Sequence, residues 1–138
     1  MGDKILIIDS SHHFVEMLTV RLLNYGYNKF RTAKTGKDGL RMVDLEEPDL
    51  VVIDTRLPDS SGYRICQQIK ELHGNKIKVL LMTGLAEKYH LEKAVEAGAD
   101  EYVIKTYDCL FLMAAIKRLL SRQRHRELTE PFYNATNN

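Results

Sequence analysis

The sequence predicts an α/β fold: a doubly wound, five-stranded parallel sheet with helices on both faces. Three observations lead there. The runs Lys4-Ile5-Leu6-Ile7-Ile8 and Leu50-Val51-Val52-Ile53 carry β-branched and leucine side chains without polar alternation, the mark of strands buried on both faces. Each run stops abruptly at a carboxylate, Asp9 or Asp54, followed by turn-forming residues. Strand-like and helix-like segments then alternate about five times along the chain, a rhythm that right-handed crossovers fold into an open parallel sheet.

In chain order, the first strand ends at Asp9-Ser10-Ser11, and from His12 the apolar residues Phe14, Leu18, Leu22 and Tyr25 recur at helical spacing up to Gly26, a helix stop. Asn28 to Ala33 is a short, less apolar strand suited to a place near the sheet edge. Lys37 to Leu45 reads as a helix with Leu40 and Val43 inward, stopped by Pro48. Leu50 to Asp54 is the central strand. After Gly62, the residues Ile65, Ile69 and Leu72 mark a helix closed by Gly74. Ile77 to Met82 is the next strand, ending in Thr83-Gly84, and Glu87 to Ala97 the next helix, closed by Gly98. A brief strand, Tyr102 to Ile104, ends at Lys105. Asp108 then caps a last helix with Leu112, Ile116 and Leu119 inward.

A chain of 138 residues, 44% hydrophobic and 28% charged, has the size of one domain with an adequate core. Residues 1-124 form that domain and 125-138, where periodicity fails and Pro131 intervenes, a C-terminal tail. A formal net charge of +1 gives no footprint for nucleic acid, and no apolar stretch approaches the roughly 20 residues that span a bilayer. Cys66 and Cys109 fall in helical apolar patterns without metal-ligand spacing, so both are expected as free thiols. With no signal peptide before Lys4, a cytoplasmic location is expected.

Asp9, Asp54, Thr83 and Lys105 each close a different strand. In a parallel sheet those ends share one edge, the edge where open α/β sheets bind ligands. Asp54 there suits a nucleophile or a metal ligand, although an aspartate can also simply open the turn toward Pro58 and Gly62.

On these residues the chain resembles the receiver domain of two-component response regulators. The match runs through Lys4 to Asp9, Ala33 to Leu40, Pro48 to Asp54, Leu57-Pro58, Gly62, Met82-Thr83-Gly84, Ala94 to Asp100 and Tyr102 to Lys105. The resemblance implies a flavodoxin-like strand order of 2-1-3-4-5. It also implies that Asp54 accepts a phosphoryl group from a sensor histidine kinase or a phosphotransfer protein. Magnesium would be held by Asp9, Asp54 and the backbone carbonyl of Arg56, Lys105 would pair with a phosphoryl oxygen, and the Thr83 hydroxyl would move to bond another. In the family that movement is coupled to an aromatic residue, here Tyr102, on the face made by the fourth helix, fifth strand and fifth helix.

Three positions depart from the family pattern. Ser10 stands where a second acid usually contacts the metal, so magnesium binding is expected to be weak. Thr106 stands where proline usually follows the lysine through a cis bond, so this bond is expected to be trans. Arg56 and Leu85 flank the pocket; Arg56 either pairs with Asp9 or Glu87, leans over Asp54, or faces solvent. His12 and His13 read as solvated caps or kinase contacts rather than metal ligands. The basic positions Lys117, Arg118, Arg122, Arg124 and Arg126 read as a solvated helix end.

The function implied is a phosphoacceptor receiver, not an enzyme, acting on a downstream protein partner or on an output domain beyond this chain, with pairing of two copies left open. The alternative is a degenerate receiver that binds partners without phosphorylation. A haloacid dehalogenase-type phosphatase would need a second acid where Arg56 stands, and the loop after the first strand lacks a flavin phosphate cradle.

Overall fold

A computed structural model describes residues 2–84, 87 and 89–121. Leu85, Arg122, Arg124, Arg126 and the expected tail 125-138 lie outside the described residues. Five parallel strands, β1 (Ile5–Ile8), β2 (Phe30–Ala33), β3 (Leu50–Asp54), β4 (Lys78–Thr83) and β5 (Glu101–Ile104), form one sheet in the order β2-β1-β3-β4-β5. This is the expected flavodoxin-like order, with β2 at an edge.

Alternation along the strands sorts the core into two layers. Ile5 and Ile7, Leu50 and Val52, and Leu80 and Met82 face α1 (His12–Asn24) and α5 (110–121), meeting Phe14, Leu18, Leu22, Leu112, Ile116 and Leu119. Leu6, Ile8, Val51, Ile53, Val79 and Leu81 face the other way, toward α2 (Gly36–Glu46), α3 (Gly62–His73) and α4 (Leu91–Glu96), meeting Val43, Ile65, Cys66, Ile69 and Ala94. No helix among the described residues is long and apolar enough to cross a membrane.

Local chemistry explains the helix ends. Ser11, Thr35 and Ser61 cap α1, α2 and α3, each accepting a backbone N–H of the first turn. Helix α2 stops at Glu46 because Glu47, the residue before Pro48, is barred from helical geometry and takes a left-handed φ of 48°. Gly62 opens α3 because its Cα passes so close to β3 that a Cβ would lie 2.1 Å from the Asp54 carbonyl oxygen.

Four expectations are corrected. Tyr25 is exposed, because α1 ends at Asn24 and Tyr25 already belongs to its cap, ahead of Gly26 at φ +89°. Leu72 is 75% exposed: the inward stripe of α3 is Ile65, Cys66 and Ile69, and burial resumes only at Ile77 after the turn Gly74–Lys76. Helix α4 begins at Leu91 rather than Glu87, whose carboxylate is engaged at the strand ends. Cys109 lies just before α5, at φ 55°, and not inside a helical pattern. Both cysteines are free and buried, and burial pushes the Cys66 thiol up to about 12. Asp108 does serve the start of α5, accepting from Leu110 N at 3.0 Å and from the Thr106 hydroxyl at 2.7 Å.

Candidate functional site

The sheet register sets the site. Ile8 pairs with Ile53, so Asp9 and Asp54, one residue beyond, stand side by side on adjacent strands and continue the alternation of Ile7 and Val52. Thr83 pairs with Ile104, which places Lys105 one step beyond the end of β5. The four expected strand-end residues therefore share one edge, but not one side of the sheet. Thr55 and Thr83 continue the alternation of Ile53 and Leu81 and belong to the opposite layer from Asp9 and Asp54.

Lys105 closes the carboxylate side. Its Nζ donates to Asp9 Oδ2 at 2.7 Å and to Asp54 Oδ2 at 3.2 Å, and lies over the Phe14 ring, 4.1 Å from its centre. The remaining carboxylate oxygens take backbone donors: Asp9 Oδ1 accepts Ser11 N at 2.8 Å, and Asp54 Oδ1 accepts Arg56 N at 3.2 Å. Asp9 is 2% exposed and Asp54 8%. Burial, followed by the neighbouring Asp9 charge, holds the Asp54 carboxyl above its ordinary value, against the opposing pull of Lys105 and the Arg56 amide. For Lys105, burial pulls the ammonium down, but its bond to Asp9 and the charges of both aspartates more than offset that and raise it.

Two carboxylates facing one ammonium leave the pocket with an excess of negative charge on hard oxygen donors. That donor set fits a divalent cation such as magnesium, bound with retained water. Among the described residues no group of three or more His, Cys, Asp or Glu side chains could hold a metal, and the residue after Asp9 is a serine. The Arg56 carbonyl is left out of the two bonds that close the loop after β3, Gly62 N to Thr55 O at 2.8 Å and Leu57 N to Ser60 O at 3.2 Å.

On the other side, Glu87 gathers the hydroxyls. Its Oε2 accepts from Thr55 at 3.0 Å and from Thr83 at 3.2 Å, and its Oε1 lies 3.7 Å from Arg56 Nε. Of the alternatives for Arg56, the structure shows a loose pair with Glu87 on a side chain that stays 80% exposed. Tyr102 is turned inward: its hydroxyl bonds that of Tyr63, accepts His90 N at 3.0 Å, and its ring stacks on Tyr89 at 4.4 Å. The Lys105–Thr106 bond is trans, as expected. His12 and His13 are exposed, His12 lying 3.5 Å from Glu16. Arg118 stays exposed, as expected of a solvated helix-end charge, while making two bonds to Glu101 on β5, at 2.9 and 3.0 Å.

Phe14 and Thr55 were not expected as site residues, and Glu87 was expected only as a possible partner of Arg56. Phe14 carries only a core signal. Thr55 had a faint one, since a hydroxyl directly after Asp54 matches Thr83 on the neighbouring strand end.

The family profile described as "Response regulator receiver domain" matches residues 5–117. Regulatory protein VanR of Enterococcus faecium is 34% identical over 90% of this chain and 52% of its own length. The BeF3-activated receiver domain of DrrB, a Thermotoga maritima protein, is 37% identical with a TM-score of 0.75, covering 88% of this chain and 99% of that one. Response regulator TrrA of Thermotoga maritima, solved in complex with Mg(2+)-BeF, is 29% identical with a TM-score of 0.77, over 86% of this chain and 99% of that one. The chain spans about half the length of the curated relatives it matches.

Proposed function

We propose, from the premise that this chain belongs to the response regulator receiver domain family of two-component signalling, that Asp54 is a working phosphoacceptor. The observation that carries the reading is the Lys105 ammonium bridging Asp9 and Asp54 at 2.7 and 3.2 Å. An ammonium already seated on the acceptor carboxylate stands where a phosphoryl oxygen would need a cation.

In the transfer, an Asp54 carboxylate oxygen attacks the phosphorus of a phosphohistidine on a kinase or phosphotransfer protein. The P–O bond forms as the P–N bond breaks, and the imidazole leaves with the electron pair and takes up a proton. The backbone N–H of Arg56 orients the attacking carboxylate through its other oxygen. Lys105 follows the charge from carboxylate to phosphoryl oxygen. Charge offset between two anionic reactants is the chemistry that magnesium supplies when held by Asp9, Asp54 and the Arg56 carbonyl. That a relative, TrrA, was solved in complex with Mg(2+)-BeF supports the choice of magnesium. Afterwards the Thr83 hydroxyl and Tyr102 carry the change to the surface of α4, β5 and α5, where a downstream partner or a second copy reads it. VanR, roughly twice as long, suggests that this chain works joined to an output domain, with regulation as the outcome.

A second reading, a receiver that binds partners without phosphorylation, is favoured by Ser10 and Thr106. Intact mass after incubation with phosphoramidate across a magnesium series separates the two, with Asp54→Asn as control. One phosphoryl adduct, absent from the control, is expected. Folded protein that stays unmodified at high magnesium would overturn the acceptor reading in favour of the second.

A further inference from the structure

We propose that Glu87 is a positioning residue for the switch: its carboxylate holds the Thr83 hydroxyl on the far side of the strand ends and must give it up before Thr83 can bond a phosphoryl group on Asp54. The inference rests on the Asp54 acceptor reading above.

Strand alternation puts the Thr83 side chain in the layer opposite Asp54, alongside Thr55. There Glu87 Oε2 accepts both hydroxyls, at 3.0 Å from Thr55 and 3.2 Å from Thr83. Thr83 is 1% exposed and the Glu87 side chain 22%, so water competes little for either group. A threonine hydroxyl has one hydrogen, and it donates either to Glu87 or to a phosphoryl oxygen, never to both. The acceptor that now holds it is a carboxylate, and hydrogen bonds to charged acceptors are the stronger kind.

Departure of Thr83 does not strand the glutamate. Thr55 still donates to Oε2, and Arg56 Nε stands 3.7 Å from Oε1. The exchange therefore has two defined ends: Thr83 on Glu87 without the phosphoryl group, and Thr83 on the phosphoryl group with Glu87 kept by Thr55 and Arg56. Glu87 biases the domain toward the first.

The test is a double-mutant cycle on phosphorylation. Wild type, Glu87→Ala, Glu87→Gln, Thr83→Ala and Glu87→Ala/Thr83→Ala are titrated with phosphoramidate at fixed magnesium, and adduct fraction is read by intact mass. Glu87→Ala is expected to lower the phosphoramidate needed for half occupancy by about fivefold, the scale of one net hydrogen bond. Glu87→Gln, whose amide oxygen still accepts, should lower it less, and the gain should vanish when Thr83 is alanine. If the alanine variant does not fold, Glu87→Gln with and without Thr83→Ala carries the same comparison. An unchanged half occupancy in the Glu87 variants, or a gain that persists without Thr83 and so reflects charge alone, would overturn the assignment. No adduct in any variant would overturn the acceptor reading and this one with it, whereas adducts with a flat cycle would remove Glu87 alone.

Discussion

Lys105 is seated on Phe14, its Nζ 4.1 Å from the centre of the ring, while the same ammonium donates to Asp9 and Asp54. The ring matters here because Lys105 is followed by Thr106 through a trans bond, without a proline to stiffen the loop. Two carboxylates and one aromatic face fix the cation from three sides. A partly desolvated cation–π contact is worth about 0.5–2 kcal/mol. Phe14→Leu keeps apolar bulk and loses the ring face, so a loss of about 1 kcal/mol in urea unfolding is expected. Adduct formation from phosphoramidate should slow about fivefold, the kinetic equivalent of that loss if Lys105 must be aimed in the transition state. A leucine variant that is less stable but phosphorylated at the wild-type rate would make Phe14 a packing residue only.

The acceptor carboxylate weakens the fold at neutral pH. Burial and the Asp9 charge hold Asp54 above its ordinary value of 3.8, so the folded state binds its proton more tightly than the unfolded state does. Its stabilising contribution is complete below the unfolded value and is lost as pH rises through the raised folded value. Asp54→Asn removes the charge and should stabilise the metal-free protein by about 1 kcal/mol near neutrality. The advantage should shrink on acidification toward the ordinary aspartate range. Urea midpoints of both proteins in EDTA, compared at neutral and acid pH, check this; a difference independent of pH would mean that the substitution acts through packing.

What could be read in the sequence follows from which forces are local. Unbroken apolar runs and capping residues identify β1, β3 and their helices, because burial on two faces and unpaired helix ends leave marks within a few residues. The edge at which Asp9, Asp54, Thr83 and Lys105 gather follows from parallel topology alone. The side of the sheet does not, since it depends on strand phase: Thr83 lies one step beyond Met82, which pairs with Asp54, and so points into the other layer. Glu87 was legible only as a possible partner of Arg56, and its contact with the two threonines was not. Its helical spacing before Ala94 reads as the start of α4, whereas α4 begins at Leu91 and the Glu87 carboxylate meets Thr55 and Thr83 across the strand ends. Leu72 and Tyr25 show the limit of periodicity at helix ends, where an apolar residue in phase can lie past the edge of what the sheet covers.

Ser10 offers the sharpest handle on the metal. It is exposed and directly follows buried Asp9, and the family resemblance implies a metal-contacting acid at this position. Ser10→Asp supplies a third hard anionic donor, and magnesium affinity should rise about tenfold, as ligand charge governs affinity at such sites. The same change places a third carboxylate beside two that share a single ammonium, so without metal the variant should unfold at lower urea than wild type. The two effects have opposite signs and one cause. Magnesium should therefore stabilise Ser10→Asp more than wild type, and unfolding curves with and without magnesium measure both at once. A variant destabilised in EDTA but not rescued by magnesium would show that position 10 adds charge without reaching the metal.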